Sequence, residues 1–295
     1  MKHIGIAVTD PLEWTAQALH NAVNKAGHRP LKFRLHDVTT RLLRENSLNA
    51  GGIWLDTLDA LIVRDVDGNG SGTEDMSYRF DVLCNLEASG VLIVNTPKAI
   101  QTAANKYLTS FLFKKNGLPT PDTVLTTDPG KALSAVKQWG RAVIKPIFGY
   151  KGMDIHCLTD DAHSIEIMEK ALARRGVLYL QQFIPNPGRD IRVFIVNKRA
   201  VGAIYRTAPP GSWINNLSKG GSPDVCHISP EINSLACRAA EAVGAVYAGV
   251  DLIEAKEGLS VLEVNGTPSG KGIYDACGMD VAHDIVRFVV ESLIK

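Results

Sequence analysis

Three oxygen-bearing side chains near the C-terminus have the types and the spacing to hold a hard cation: Asp251 in one apolar run, then Glu263 and Asn265 two residues apart in the next. Alternate residues of a strand share a face, so Glu263 and Asn265 project together, and a turn at Glu257-Gly258 would fold Asp251 alongside them. Such a set suits Mg²⁺ bound jointly with nucleotide phosphates, because that ion keeps octahedral oxygen geometry and seldom has an all-protein cage. The competing reading is a solvated hairpin face. Leu252, Ile253, Val261, Leu262 and Val264 weigh against it: they make the strands apolar on at least one side, where two neighbouring carboxylates are costly without a cation.

A second candidate is Lys145, at the end of the apolar run Ala142–Ile144 and followed by Pro146-Ile-Phe-Gly149-Tyr-Lys151-Gly152. Glycines let backbone N–H groups approach phosphate oxygens, and a lysine at the strand end adds a point charge. An ordinary surface hairpin would look the same. The loop is neither a P-loop nor a dinucleotide fingerprint, and no other segment supplies one. Tyr179–Ile184, a strand stopped by Pro185, has the form of an adenine seat that pairs through its backbone, or of a plain strand end. Asp190 and Arg192 share a strand face, and Arg206 ends the next strand. Guanidinium groups suit phosphate and carboxylate oxygens, while a structural Asp–Arg pair accounts equally for the pattern. The polar stretch Asn216–Gly221 has no hydrophobic reason to exist and is a substrate-contact candidate. Cys226-His227 lacks a partnered base, and a lone buried cysteine is more often inert.

These residues need elements to position them. The first 97 residues alternate β-branched runs with amphipathic stretches (Ile4–Val8, Trp14–Ala26, Leu31–Leu35, Ala60–Arg64, a helix at Tyr78–Ala88, Val91–Val94), the rhythm of a parallel α/β lobe that ends at Asn95-Thr96-Pro97. Residues 98–184 change rhythm, with helices at 99–105, 107–115, 131–139 and 162–174 and strands at 123–126, 142–146, 154–158 and 177–183, which predicts a compact α+β lobe. Residues 185–295 open on a hairpin, 190–196 with 200–206, turning at Asn197-Lys198. A glycine-rich loop (209–224), a helix (230–244), the strands 248–254 and 260–264, and an amphipathic helix (281–294) follow. The glycine-rich stretch Asp67–Thr73 is expected to be a surface excursion.

The composition excludes several classes. Forty-five per cent apolar residues over 295 positions can supply a substantial core, so disorder is excluded. Thirty-two basic residues against 31 acidic ones leave a formal charge of +1, too little to hold the chain to nucleic acid or to anionic lipid. No apolar stretch is long enough to span a bilayer, and five scattered cysteines without paired spacing fit a reducing cytoplasm.

Taken in order, the strings Asn105-Lys106, Val143-Ile-Lys145-Pro, Gln181-Gln182-Phe183-Ile184, Asp190-Ile-Arg192, Asn216 with Gly220-Gly221, Gly249-Val-Asp251 and Glu263-Val-Asn265 resemble the RimK-like branch of the ATP-grasp superfamily, from about Asn95 to the C-terminus. The resemblance implies an ATP-grasp fold, α/β in its N-terminal Rossmann-like lobe and α+β in the other two. It implies an ATP-dependent ligase that activates a carboxylate as an acyl phosphate and joins it to an amine, that of glutamate. Carried over by position, Lys106 and Lys145 contact ATP phosphates under the loop of Gly149, Lys151 and Gly152. Gln181, Gln182, Phe183 and Ile184 hold adenine by backbone, and Asp190 lies near the ribose. Asp251, Glu263 and Asn265 hold Mg²⁺ or Mn²⁺, as two ions. Arg192 and Arg206 stabilise the forming acyl phosphate, and Asn216 orders phosphates or the amino acid.

Two departures stand out: Gln182 replaces a usual glutamate, and Gly266-Thr267-Pro268 follows Asn265 where Pro-Gly is usual, which leaves the acceptor open. Lys145-Pro-Ile-Phe-Gly149, Tyr205-Arg206 and Trp213–Asn216 are most similar to the branch that adds glutamate to tetrahydromethanopterin, and relatives are often dimers or tetramers. Glutamylation of a protein C-terminus, a catalytically silent ATP-binding module and a nicotinamide-dependent oxidoreductase are the alternatives. The last lacks Gly-x-Gly-x-x-Gly after Val8.

Overall fold

The computed structural model describes residues 1–42, 47–66, 72–149 and 152–294. Lys151 and most of the Asp67–Thr73 stretch fall outside these ranges, so the expectations for both lie outside the described residues. The N-terminal part runs β1 (His3–Ala7), α1 (Trp14–Lys25), β2 (Arg29–Phe33), β3 (Val38–Arg41), β4 (Ser47–Ala50), β5 (Ile53–Trp54), β6 (Ala60–Val63), α2 (Thr73–Ala88) and β7 (Leu92–Val94). β2, β1, β6 and β7 form a parallel sheet in that order, with Ile4 opposite Ala60. Parallel strands covered on both faces must be apolar throughout, and Ala60, Leu61, Ile62 and Val63 are all fully buried. The small antiparallel sheet β3-β4-β5 was not visible in the sequence; its strands are short and carry Thr, Ser and Asn.

The chain continues through α3 (Pro97–Ala104), α4 (Lys106–Lys115), β8 (Thr123–Thr126), α5 (Pro129–Trp139), β9 (Ala142–Lys145), β10 (His156–Leu158), α6 (Ala162–Arg175) and β11 (Leu178–Gln182). The order β10-β9-β11-β8 makes an antiparallel sheet under α5 and α6, with its own core of Ala132, Val136, Ile144, Leu158, Met168, Leu178 and Leu180. Asp128 caps α5 and Asp161 caps α6, each accepting from a backbone N–H of the first turn.

The last part comprises β12 (Arg189–Val196), β13 (Arg199–Thr207), β14 (Ser222–Val225), α7 (Pro230–Ala242), β15 (Tyr247–Ala255), β16 (Gly258–Asn265), α8 (Lys271–Cys277) and α9 (Ala282–Ser292). Its antiparallel sheet has the order β14-β13-β12-β15-β16. The β12–β13 hairpin turns on Asn197 (φ 47°) and Lys198 (φ 62°), the left-handed pair a two-residue hairpin turn requires. β14 lies inside the stretch expected to be loop, and α8 was not anticipated, because seven residues opening with Lys-Gly carry little helical signal. α9 packs on α1, and one core runs through both end lobes, from Ile4, Leu19 and Val23 to Phe194, Tyr247, Ile285 and Val289. Buried Asn95 fastens them: its amide nitrogen donates to Tyr247 O (2.7 Å) and Gly266 O (2.6 Å), and its oxygen accepts from Val246 N (2.7 Å) and Tyr247 N (3.1 Å).

Candidate active site

A cleft with about 950 Å³ of empty space opens between the central sheet and the C-terminal sheet. The acidic residues come from β15 and β16. Asp251 pairs directly with Glu263, and Gly249 with Asn265, as the two-residue period requires. The register shifts after Asp251, so that Leu252 meets Val261 and Leu262 is an extra residue. This bulge re-aims the strand, and Leu262 and Glu263 both line the cleft. One residue of slip was not readable from the sequence.

Behind these carboxylates lies a buried charge network. Arg206 Nε and Nη2 donate to the two oxygens of Asp190, both at 2.7 Å, and Nη2 is 2.8 Å from Asp251 Oδ2. Arg192 Nη2 donates to Asp251 Oδ2 at 2.9 Å, and its Nε to Oδ1. The registers Asp190 with Arg206 and Arg192 with Asp251 set these pairs across neighbouring strands. Gly249 makes room for them, since a Cβ there would meet Arg192 Nη1 at 2.5 Å. Burial pushes the Asp251 carboxyl up, but Arg192 and Arg206 pull it further down, and it stays ionised. Burial also works against the Arg206 cation, and Asp251 and Asp190 outweigh it. The structural Asp–Arg pairing weighed for these residues is thus present. Arg206, Asp190 and Asp251 also border the cleft, whereas Arg192 stands behind Asp251 and is not among its lining residues.

The opposite wall is basic. Asn105 caps α4 by accepting from Leu108 N (3.0 Å), which sets Lys106 at the helix N-terminus, where the dipole also favours anions. Lys106 Nζ donates to Gly149 O (3.0 Å) and lies 3.7 Å from Glu263 Oε2. Lys145 Nζ donates to Gln181 Oε1 at 2.7 Å. Burial lowers the Lys145 amine to about 8, with Lys106 adding to the drop and Glu263 and Asp251 opposing it. Gln181 was expected to serve through its backbone. Instead that backbone lies in the ladder between Thr123 and Val143, and its side chain orients Lys145. The N–H groups of Gln182 and Phe183 go to Asp122 O (2.8 Å) and Arg141 O (3.0 Å), so the ladder ends at Phe183.

The glycine loop joins the walls. Gly152 has φ +65°, and a Cβ there would meet Asn216 Oδ1 at 2.8 Å, so the loop lies directly against the 209–221 loop. Gly149 similarly leaves no room for a Cβ beside Pro146 Cγ (2.5 Å). Val143, Met153, Ile155, Phe183, Trp213, Ile253 and Leu262 give the cleft an apolar wall; the motifs contain some of these residues but do not show that they share a face. Trp213, a lone aromatic in a glycine-rich stretch, was the available clue; its ring meets that of Phe183 edge-on at 6.1 Å.

Two carboxylates in register and an amide are hard oxygen ligands that fit Mg²⁺ shared with phosphates, although Asn265 Oδ1 also accepts from Thr267 N (2.8 Å) and Asn265 does not itself line the cleft. Among the described residues no cluster of three or more His, Cys, Asp or Glu could hold an ion unaided, so oxygens of phosphate or water would have to complete the shell.

A RimK-like ATP-grasp domain matches residues 103–289, which include both walls. The chain belongs to the RimK-like ATP-grasp family. A tetrahydromethanopterin:alpha-L-glutamate ligase of Methanosarcina acetivorans is 46% identical, covering 99% of this chain and 100% of its own. One from Methanococcus maripaludis is 33% identical over 95% of each. Among solved structures, the ATP-grasp ligase PsnB complexed with a precursor variant, Mg and ADP superposes with a TM-score of 0.77 over 98% of both chains, at 20% identity, a likeness that carries the fold alone. The protein is therefore an ATP-grasp ligase, and its family uses ATP and Mg²⁺. No described helix is long and apolar enough to cross a membrane.

Proposed function

We propose that this ligase transfers one substrate carboxylate to the amine of L-glutamate through an acyl phosphate, releasing ADP and phosphate, with a tetrahydromethanopterin-type pterin as the carboxylate-bearing acceptor. The observation that carries the reading is the facing of Lys106 and Lys145 by Asp251 and Glu263 across one cleft. The relatives' names supply the substrates.

In this reading, the base sits on the apolar wall against Phe183 and Ile184, where the ladder frees the backbone. ATP would bring the phosphoryl group, and Mg²⁺ bound there, as two ions replaceable by Mn²⁺, would supply the positive charge that offsets it. Asp251, Glu263 and Asn265 hold the metal; Lys106, Lys145 and the loop of Gly149 and Gly152 hold the phosphates. Arg206 offers a fixed positive charge to the oxygens that gain charge when the carboxylate attacks, and Arg192 keeps Asp251 in place. Asn216 steadies the loop. No side chain acts as a nucleophile. Rate acceleration comes from position and from preorganised charge in a partly dry site.

The test is ADP release by the purified protein with Mg-ATP, run with pterin acceptors bearing a free carboxylate, each with and without L-glutamate, and mass analysis of the acceptor. A pair that stimulates ADP release and adds one glutamyl unit is expected. If no carboxylate and amine pair lifts turnover above the background ATPase, the proposal fails.

A further inference from the structure

Of the three side chains proposed to hold the metal, Asp251 and Glu263 line the cleft and Asn265 does not. Whether Asn265 serves an ion therefore turns on the direction of its Oδ1, and an amide keeps one direction only when a neighbour holds it. The hold is local. Asn265 Oδ1 accepts from Thr267 N (2.8 Å), which leaves its second lone pair for a cation. The peptide that carries this N–H is gripped at its carbonyl end as well, because Gly266 O accepts from buried Asn95 (2.6 Å). The next carbonyl, Thr267 O, accepts from Arg64 Nη1 (3.1 Å). Thr267 is thus pinned on both sides by residues of the N-terminal lobe.

Asn95 also binds Val246 and Tyr247, so its part in the fold and any part in the site are inseparable. Arg64 is different. It follows β6 at the carboxyl end of the parallel sheet, and its Nε and Nη2 donate to Glu13 at 3.3 and 3.2 Å. Glu13 in turn caps α1 by accepting from Ala16 N (3.0 Å). Burial pushes the Glu13 carboxyl up, but Arg64 and the bonds from Ala16 and Thr15 pull it further down, and it stays ionised. A guanidinium is a rigid planar fork, so fixing two donors on a carboxylate fixes the direction of the third. Farther along the same loop, Thr15 makes a separate contact: its Oγ1 lies 3.0 Å from Ser269 Oγ and accepts from Gly270 N (3.3 Å). Of these two holds, only that of Arg64 falls on the residue that orients Asn265.

We propose that Arg64 is a positioning residue for the metal site: by fixing the Thr267 backbone it keeps Asn265 Oδ1 in the orientation that serves the ion. The inference rests on the reading of Asp251, Glu263 and Asn265 as metal ligands and goes beyond it, because it gives the N-terminal lobe a part in holding the metal.

The experiment is Mn²⁺ binding in the presence of ADP, followed through the electron paramagnetic resonance of the free ion, which needs no catalysis. It compares the unaltered protein with Arg64→Met, Glu13→Gln, Thr15→Val, Asn265→Ala and the double variant of Arg64→Met with Asn265→Ala, with thermal melts to show that each is folded. Arg64→Met should weaken Mn²⁺ binding about tenfold, the lower end of the scale for removing a partner behind a metal ligand. Glu13→Gln keeps Arg64 but slackens its fork, and should show a smaller loss in the same direction. Thr15→Val cuts the other hold on the loop and should leave the affinity unchanged. In the Asn265→Ala background Arg64→Met should cost nothing further, because its effect travels through that side chain. No loss in Arg64→Met, or in Glu13→Gln where only that variant folds, an equal loss in Thr15→Val, or a further loss in the double variant would each overturn the inference. If Asn265→Ala alone binds Mn²⁺ as well as the unaltered protein, Asn265 is not a ligand and the inference falls, while the ligase reading, judged by glutamate-dependent ADP release, stands.

Discussion

The two walls of the cleft are built on different principles. The acidic wall belongs to a sheet whose core continues into the N-terminal lobe, and four of its charges pair among themselves, Asp190 and Asp251 with Arg192 and Arg206, while Glu263 faces Lys106 at 3.7 Å. On the basic wall Lys145 rides on a smaller lobe with a separate core, while the helix of Lys106 packs through Phe113 into the core of the C-terminal sheet. The half-buried Lys145 has only a neutral amide oxygen as its hydrogen-bond partner. The quartet is paired before any ligand arrives, whereas Lys145 is a partly desolvated cation that an anion would complete. Removing a charge from the quartet should therefore damage the fold as well as the chemistry, and removing Lys145 should damage only the chemistry.

The largest stability effect is expected from Asp251→Asn. It would leave two buried guanidinium groups sharing a single carboxylate, and breaking such a network costs about 3–5 kcal/mol. Denaturant unfolding reads the loss directly, and ligase activity should vanish as well if Asp251 holds the metal as proposed. A variant as stable as the unaltered chain would show that the quartet is not closed.

Lys145→Met makes the opposite case. Ligase turnover should fall by a factor on the order of 10²–10³, the scale for removing one preorganised charge donor. Stability should stay within about 1 kcal/mol, because the loss of one hydrogen bond to Gln181 is offset by relief from burying a cation. If this variant melts as low as Asp251→Asn, the contrast between the walls collapses.

How much of this was legible in the sequence follows the same division. The strand period and the turn near Gly258 were enough to bring Asp251 and Glu263 side by side, because antiparallel register is a local consequence of a short hairpin. Lys145 at a strand end and the glycines after it were visible too, but taken alone they matched an ordinary surface hairpin, and only the order of the other motifs gave them weight. The bulge at Leu262 was not visible, since one unpaired residue leaves no mark on an apolar run. Gln181 was assigned a backbone duty because the sequence shows a strand without showing which neighbours already use its ladder. Arg206 and Asp190 were recognised as a possible pair, but the sharing of Arg206 with Asp251 needs three strands in register and is a property of the sheet. The apolar wall drew on Val143, Ile155, Trp213 and Ile253, from segments whose common face exists only once two lobes meet. In the N-terminal lobe, Arg64 reaches Thr267 O at 3.1 Å while paired with Glu13, a link across 203 residues of sequence that no spacing could disclose.

The smallest effect, and the one that sharpens the comparison furthest, is a pH dependence. Burial brings Lys145 down to about 8, whereas an unfolded lysine titrates near about 10.4. Between those values the unfolded chain binds more protons than the folded one, so this group's contribution to stability rises with pH across the window. Phosphate binding needs the cation and runs the other way. Affinity for Mg-ATP should hold from pH 7 to about 8 and then fall, by at most about tenfold per pH unit, less to the extent that the bound anion holds the proton on. Titrating Mg-ATP binding at pH 7, 8 and 9 at one ionic strength measures the first trend, and denaturant midpoints over the same range measure the second. Lys145→Met should flatten both curves together. If affinity declines above pH 8 in that variant as it does in the unaltered enzyme, the titrating group lies elsewhere, and the basic wall is as closed as the acidic one.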